Sequence, residues 1–157
     1  MPTGHPNGID NKSISVVIIN YNTCQELRAC LETIRPEATS NVIVVDNDSS
    51  DGSVEMVRSN FPWVALHANG TNLGYGAGSN RAIAGCTTKY VLLLNSDTLL
   101  EPGALKALSH YFEQHPRAAI VGPRLVNPDV TLQASCYPFP TPLDTFLENS
   151  TCAIFLG

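Results

Sequence analysis

Long apolar runs are missing from this chain. The longest candidates, Val16–Ile19 and Val91–Leu94, are strand-sized, far short of the roughly 18 residues that cross a bilayer. Met1–Ser13 has no cationic segment leading into an apolar stretch, so no signal peptide is expected. Nor is there a run of Lys or Arg: 9 basic residues against 14 acidic ones leave a net charge of −5, a poor basis for DNA or RNA binding. The five cysteines (Cys24, Cys30, Cys86, Cys136, Cys152) are odd in number and form no CxxC pair, which suits reduced thiols in a cytoplasmic protein. HExxH is absent, and His110 and His115 have the wrong spacing for one helical face, which argues against zinc. Charged residues make up only 15%, but a 43% apolar share over 157 residues is near the globular norm and argues against disorder. A chain of this length is an ordinary single domain that buries about 70% of its unfolded surface.

What is present is an alternation of strand-like and helix-like segments. Met1–Ser13, rich in Pro, Gly and Asn, reads as a flexible leader. Ile14–Ile19 is a β-branched run expected to be buried on both faces. Thr23 and Glu26 fit a capping box, Leu27, Leu31 and Ile34 follow at helical spacing, and Pro36 ends the helix. Val42–Val45 is a second strand. A turn cluster, Asp46–Gly52, leads to a short helix marked by Val54, Val57 and Phe61 and stopped before Pro62. The spacing then predicts a strand over Trp63–His67, a glycine-rich loop over Asn72–Gly78 and a helix to about Ala84. Beyond it come the strand Tyr90–Leu94, a helix opened by Glu101-Pro102 with Leu105, Leu108 and Phe112 facing inward, and a fifth strand over Ala118–Val121. Such alternation with short loops implies an α/β fold, a Rossmann-like, mostly parallel sheet flanked by helices. From Gly122 the chain turns Pro-rich, and it stops in an apolar segment, Ala153–Gly157, that reads as cut.

Open parallel sheets bind ligands outside the carboxyl ends of their strands. Three polar clusters fall at such ends: Asn20-Tyr21-Asn22, Asp46-Asn47-Asp48 and Asn95-Ser96-Asp97. Each alone reads as a helix cap or turn; three at one rim shift the balance toward a site. Asp97, directly after an apolar strand, can hold a hard divalent cation that bridges diphosphate oxygens. Asn95 and Ser96 can add hydrogen bonds, Tyr21 can stack on a base, and the Asn47 amide can pair with a pyrimidine edge through its donor and acceptor. The stretch Gly74–Asn80 misses the dinucleotide fingerprint, because Ser79 stands where GxGxxG needs Gly, and it lacks the GK[ST] of a P-loop. Its glycines suit close backbone approach of a ligand and entry to a helix, or a plain tight turn.

Taken in order, Val16–Asn22, Val44–Ser53, Asn72–Asn80 and Leu92–Thr98 resemble family 2 glycosyltransferases, and within them the rhamnosyltransferase-like branch. Gly122–Asp129 and Ser135–Pro142 resemble that branch's next segment, so the similarity runs from Ile14 to about Pro142. The resemblance implies a glycosyltransferase A-type fold, a nucleoside-diphosphate-sugar donor (dTDP- or UDP-linked), Mg²⁺ or Mn²⁺ as cofactor, and inverting transfer to a glycan or lipid-linked acceptor. By motif position it assigns Ile19, Tyr21, Asp46, Asn47, Gly74, Asn80, Asn95, Ser96 and Asp97 to the nucleotide-sugar site, with Asp97 as the metal carboxylate. Asn95 departs from the first Asp of the usual DxD motif, which puts metal affinity in question. Val130 stands where Gly is common, so that turn is expected to differ.

On this reading residues 1–13 are the leader, 14–121 the nucleotide-sugar-binding domain and 122–157 the start of an acceptor-side region. Nothing after Asp97 matches the family's Glu-Asp-type base motif, and none of Glu113, Asp129, Asp144 and Glu148 is assigned that role. The base is expected beyond Gly157, leaving the 157 residues alone inactive. The implied setting is polysaccharide biosynthesis for the cell envelope, in the cytoplasm or at the inner face of the membrane. Two other classes fit the same clusters: a non-catalytic nucleotide-binding module and a nucleotidyltransferase. The latter is disfavoured because Asn20–Thr23 stands where its glycine-rich loop belongs.

Overall fold

The apolar run at Ile14 forms a strand because both of its alternating side-chain sets find a hydrophobic layer. The computed structural model of the chain describes residues 14–35 and 41–135. Strand β1 (Ile14–Asn20) is buried along its whole length. Ile14, Val16 and Ile18 face one core, shared with Val42, Val44 and Leu94 of neighbouring strands and with Leu27, Leu31, Ile34, Val57, Phe61 and Leu105 from helices. Val17 and Ile19 face a second, smaller core with Ile43, Val45 and Ala82. Period-two alternation in a strand therefore sorts one continuous apolar run onto two packed faces.

The remaining elements are α1 (Cys24–Ile34), β2 (Asn41–Asp46), α2 (Ser53–Asn60), β3 (Ala65–Ala68), α3 (Gly74–Ile83), β4 (Tyr90–Asn95) and α4 (Ala104–Gln114). The sheet has four strands in the order β3-β2-β1-β4, every pair parallel. In register, Asn20 pairs with Asp46 and Ile19 with Asn95, so the carboxyl ends of β1, β2 and β4 finish level. That level finish makes the rim.

Several boundaries differ from the sequence expectation. The capping box does not form: the Thr23 side chain makes no cap bond, its hydroxyl going to Asn20 Oδ1 at 2.7 Å, and the Cys24 N–H donates to Asp51 Oδ2 at 2.7 Å. The third strand starts at Ala65, because the Val64 N–H closes a turn onto Phe61 O at 2.9 Å while Trp63 packs edge-on against Phe61. Helix α3 begins inside the expected glycine loop. Gly74, at φ +75°, donates its N–H to Asn72 Oδ1 and turns the chain into the helix. Strand β4, apolar enough to read as buried, lies at a sheet edge and is mostly half-exposed, with Leu93 at 43%. Helix α4 starts after Gly103, with Leu105 buried and Leu108 and Phe112 only half-buried.

The expected fifth strand over Ala118–Val121 is not one. Ile120 is 91% exposed and the Ala118 N–H closes a turn onto His115 O, and no strand among the described residues pairs with it. The chain divides into two units at Val121/Gly122. The described part of the second is a hairpin bridged at Val126 and Leu132, its turn holding Val130 at φ +67°. The leader, Pro36, the Pro-rich segment after Ser135, and Asp144 and Glu148 lie outside the described residues.

Candidate functional site

At the strand ends a directed chain of hydrogen bonds ties three elements together. The Asn20 side chain, fully buried, donates through Nδ2 to Asp46 Oδ2 at 2.7 Å and to Ser49 Oγ at 3.1 Å. Its Oδ1 accepts from Thr23 Oγ1 at 2.7 Å, and Thr23 Oγ1 lies 2.8 Å from Ser96 Oγ. A hydroxyl has one proton, so with that of Thr23 given to Asn20, Ser96 is the donor to Thr23. The donors thus run from Ser96 through Thr23 and Asn20 to the Asp46 carboxylate, which also accepts the Ser49 N–H at 2.9 Å. This is a buried, satisfied network of the kind that fixes geometry.

A second network joins β2, β3 and α3. Asn47 donates through Nδ2 to Gly74 O at 3.2 Å and accepts from Asn69 Nδ2 at 3.0 Å; Asn69 Oδ1 in turn accepts from Arg81 at 3.1 Å. Asn47, expected to offer its amide to a pyrimidine edge, makes these two contacts within the protein. At 2% exposure it is turned inward, with donor and acceptor engaged. Asp46, at 1%, likewise shapes the rim from within.

The other expected site residues separate into floor and lip. Ile19 is buried beneath α3, close enough that a methyl on Gly78 would sit 3.5 Å from its Cδ1. Ser96 is buried against Thr23. Tyr21 (51% exposed), Gly74, Asn80, Asn95 and Asp97 are open to solvent. Asn22 and Asp48 adopt left-handed backbone at φ +53° and +69°, conformations that Asn and Asp tolerate best after Gly. Asp51 bridges helix starts, accepting the N–H of Cys24 and of Ser53. Burial tends to raise its carboxyl, but hydrogen bonds from the Ser53 hydroxyl and those two amides prevail and hold it below the usual range.

The segment carrying Asp97 is gripped by α1 at three points. Besides Thr23 on Ser96, the Cys30 thiol approaches Asn95 O at 3.8 Å and Thr33 Oγ1 accepts the Leu100 N–H at 3.1 Å. Burial, and then the nearby Asp97 charge, push the Cys30 thiol up to about 12. No group of three or more His, Cys, Asp or Glu that could cage a metal occurs among the described residues. An exposed single carboxylate still fits Mg²⁺ or Mn²⁺ of the sort that keeps several waters and takes its other ligands from substrate phosphates.

Sequence reasoning missed Thr23 as a bridge, and it missed Ser49, Asp51, Asn69 and Arg81. Asn20 was visible only as part of a cluster. A fully polar residue closing a buried strand was the available signal for Asn20; the partners of the others lie too far away in sequence to be seen.

Comparison with known proteins gives the chain's family. The sequence profile of glycosyl transferase family 2 matches residues 15–151. The chain belongs to that family. It is 29% identical over 141 residues to the N-acetylglucosaminyl-diphospho-decaprenol L-rhamnosyltransferase of Mycobacterium tuberculosis, covering 82% of this chain and 46% of that protein. It is 34% identical over 128 residues to the pre-mycofactocin glycosyltransferase of the same species, covering 78% of this chain and 25% of that one. The chain thus spans under half the length of these relatives. The crystal structure of Staphylococcus aureus TarS 1–349 in complex with UDP superposes with a TM-score of 0.60 at 23% identity, over 66% of this chain and 33% of that one. The fold is glycosyltransferase A-type.

Proposed function

We propose that the chain is the donor-binding part of an inverting sugar transferase. It takes a UDP- or dTDP-sugar at the rim formed by the carboxyl ends of β1, β2 and β4. The observation that carries this reading is the division of labour at the rim. Asn20, Asp46, Asn47 and Ser96 are buried and hydrogen-bonded to one another's elements, while Asp97 and Tyr21 stand exposed on the frame they build. Support also comes from the relatives, one named for transfer of L-rhamnose, and from the TarS structure with its UDP. Rhamnose as the sugar and a lipid-linked or glycan acceptor are the finer parts of the proposal.

In this mechanism Tyr21 stacks on the nucleobase, and Asp97, with Asn95 beside it, would hold Mg²⁺ or Mn²⁺. The cation, when bound, neutralises charge developing on the leaving phosphate. The buried network keeps the exposed groups in place before substrate arrives, which is where most positional catalysis originates. Inversion needs an acceptor oxygen in line with the leaving diphosphate and a base to take its proton. None of the described residues is assigned that base, so the 157 residues are proposed to bind donor and transfer little. Calorimetric titration with UDP and dTDP, in Mn²⁺ and in chelator, tests the reading. Binding that strengthens with Mn²⁺ supports it, and no binding in either buffer overturns it.

A further inference from the structure

Thr23 occupies the N-cap position of α1, yet its hydroxyl does not cap the helix; Asp51 has taken the Cys24 N–H. The Thr23 hydroxyl is used instead to join Ser96 to Asn20, at 2.8 and 2.7 Å. Along α1, Thr23, Cys30 and Thr33 fall on one face, and each touches the stretch from Asn95 to Leu100. Asp97 itself is exposed, with no side-chain hydrogen bond among the described residues, so its carboxylate is aimed by its backbone; that backbone is held on the amino side by the pairing of Asn95 with β1, by the Thr98 N–H on Asn95 O, and by Ser96 through Thr23.

We propose that Thr23 is a positioning residue. By joining Ser96 to the Asn20–Asp46 pair, it sets where Asp97 presents its carboxylate to a divalent cation on the donor diphosphate. The inference rests on the donor-binding reading above. Outer partners of metal ligands act in this way, and their loss costs about 10- to 100-fold in metal affinity or activity.

The test is UDP titration of the whole chain, in Mn²⁺ and in chelator, for the parent, T23V, T23S and T88V. Valine keeps the shape of threonine and removes both bonds, while serine keeps the hydroxyl. T88V removes a matching hydroxyl pair, Thr88 to Ser15 at 2.8 Å, beside the opposite end of β1. T23V is expected to lose about tenfold or more of the Mn²⁺ enhancement, with affinity in chelator unchanged. T23S is expected to restore the enhancement and T88V to leave it intact. A T23V chain that keeps the parent's enhancement, or a T88V chain that loses as much, overturns the role of Thr23 while the donor-binding reading stands. A parent that binds no UDP overturns both. Should T23V fail to fold, T33V reads the other end of the same grip: a reduced enhancement supports the inference and an unchanged one sinks it.

Discussion

Replacing Asn20 by alanine should unfold the rim from its centre. The side chain is fully buried, and it gives the Asp46 carboxylate a 2.7 Å bond while also joining Thr23 at 2.7 Å and Ser49 at 3.1 Å. A hydrogen bond to a charged group contributes about 1.5–3 kcal/mol and a neutral one about 0.5–1.5 kcal/mol. Water entering the space left by the amide recovers part of this, so the expected loss for N20A is about 3–4 kcal/mol. Against a total stability on the order of 5–15 kcal/mol this is a large fraction. Urea unfolding followed by circular dichroism reads it as a lower midpoint with an unchanged slope. N20D is expected to lose still more, since it sets a second carboxylate against Asp46. An N20A chain within about 1 kcal/mol of the parent, or an N20D chain more stable than N20A, would refute the claim that this amide ties the strand ends together.

Other outcomes follow from the same contacts. Val130 is a β-branched residue at φ +67°; V130G should relieve about 1–2 kcal/mol of backbone strain, partly offset by the entropy of Gly. It would show as slower hydrogen exchange at the Asn127 and Gln133 amides, which close the hairpin onto Thr131 O and Leu125 O, and faster exchange would contradict it. Because Asp51 has a folded value below its unfolded one, its contribution is full above the unfolded carboxylate range, about 3.9, and is lost as pH falls through the lower folded value. The stability gap between parent and D51N should therefore close in strong acid, and a gap that widens there would be evidence against the double helix anchor. The Cys30 thiol, pushed up to about 12 and buried, should resist alkylation at pH 8 in folded protein, while half-buried Cys24 and Cys86 react; peptide mapping that finds Cys30 labelled first would overturn its placement.

Much of the frame was readable from local pattern. A continuous β-branched run such as Ile14–Ile19 is what a doubly covered parallel strand requires, and the helical spacing of Leu27, Leu31 and Ile34 leaves one apolar face to bury. The failures share a cause. Ala118–Val121 has the composition of a strand but no partner strand among the described residues, and β4 has that of a central strand but the edge place among the four described strands. Thr23 and Glu26 satisfy a capping pattern, yet the Thr23 hydroxyl is engaged by Asn20 and by Ser96, 73 residues away. At the site, the three strand-end clusters were legible because chain order puts them at one rim. Which members face solvent was not: Asn47 and Asp48 are neighbours of similar chemistry, and the long-range partners Asn69 and Gly74 turn Asn47 inward.

The central claim is that the rim exists to present Asp97 to a cation on a nucleotide diphosphate. It is tested most directly by D97A: UDP titration in Mn²⁺ and in chelator, alongside thermal unfolding of the ligand-free chain. An exposed carboxylate with no hydrogen bond or ion pair among the described residues should be dispensable for folding, so the unfolding temperature stays where it is. The predicted result is that D97A unfolds with the parent and binds UDP equally in both buffers, its Mn²⁺ enhancement gone. A D97A chain that retains the parent's enhancement would place the cation elsewhere and contradict the account.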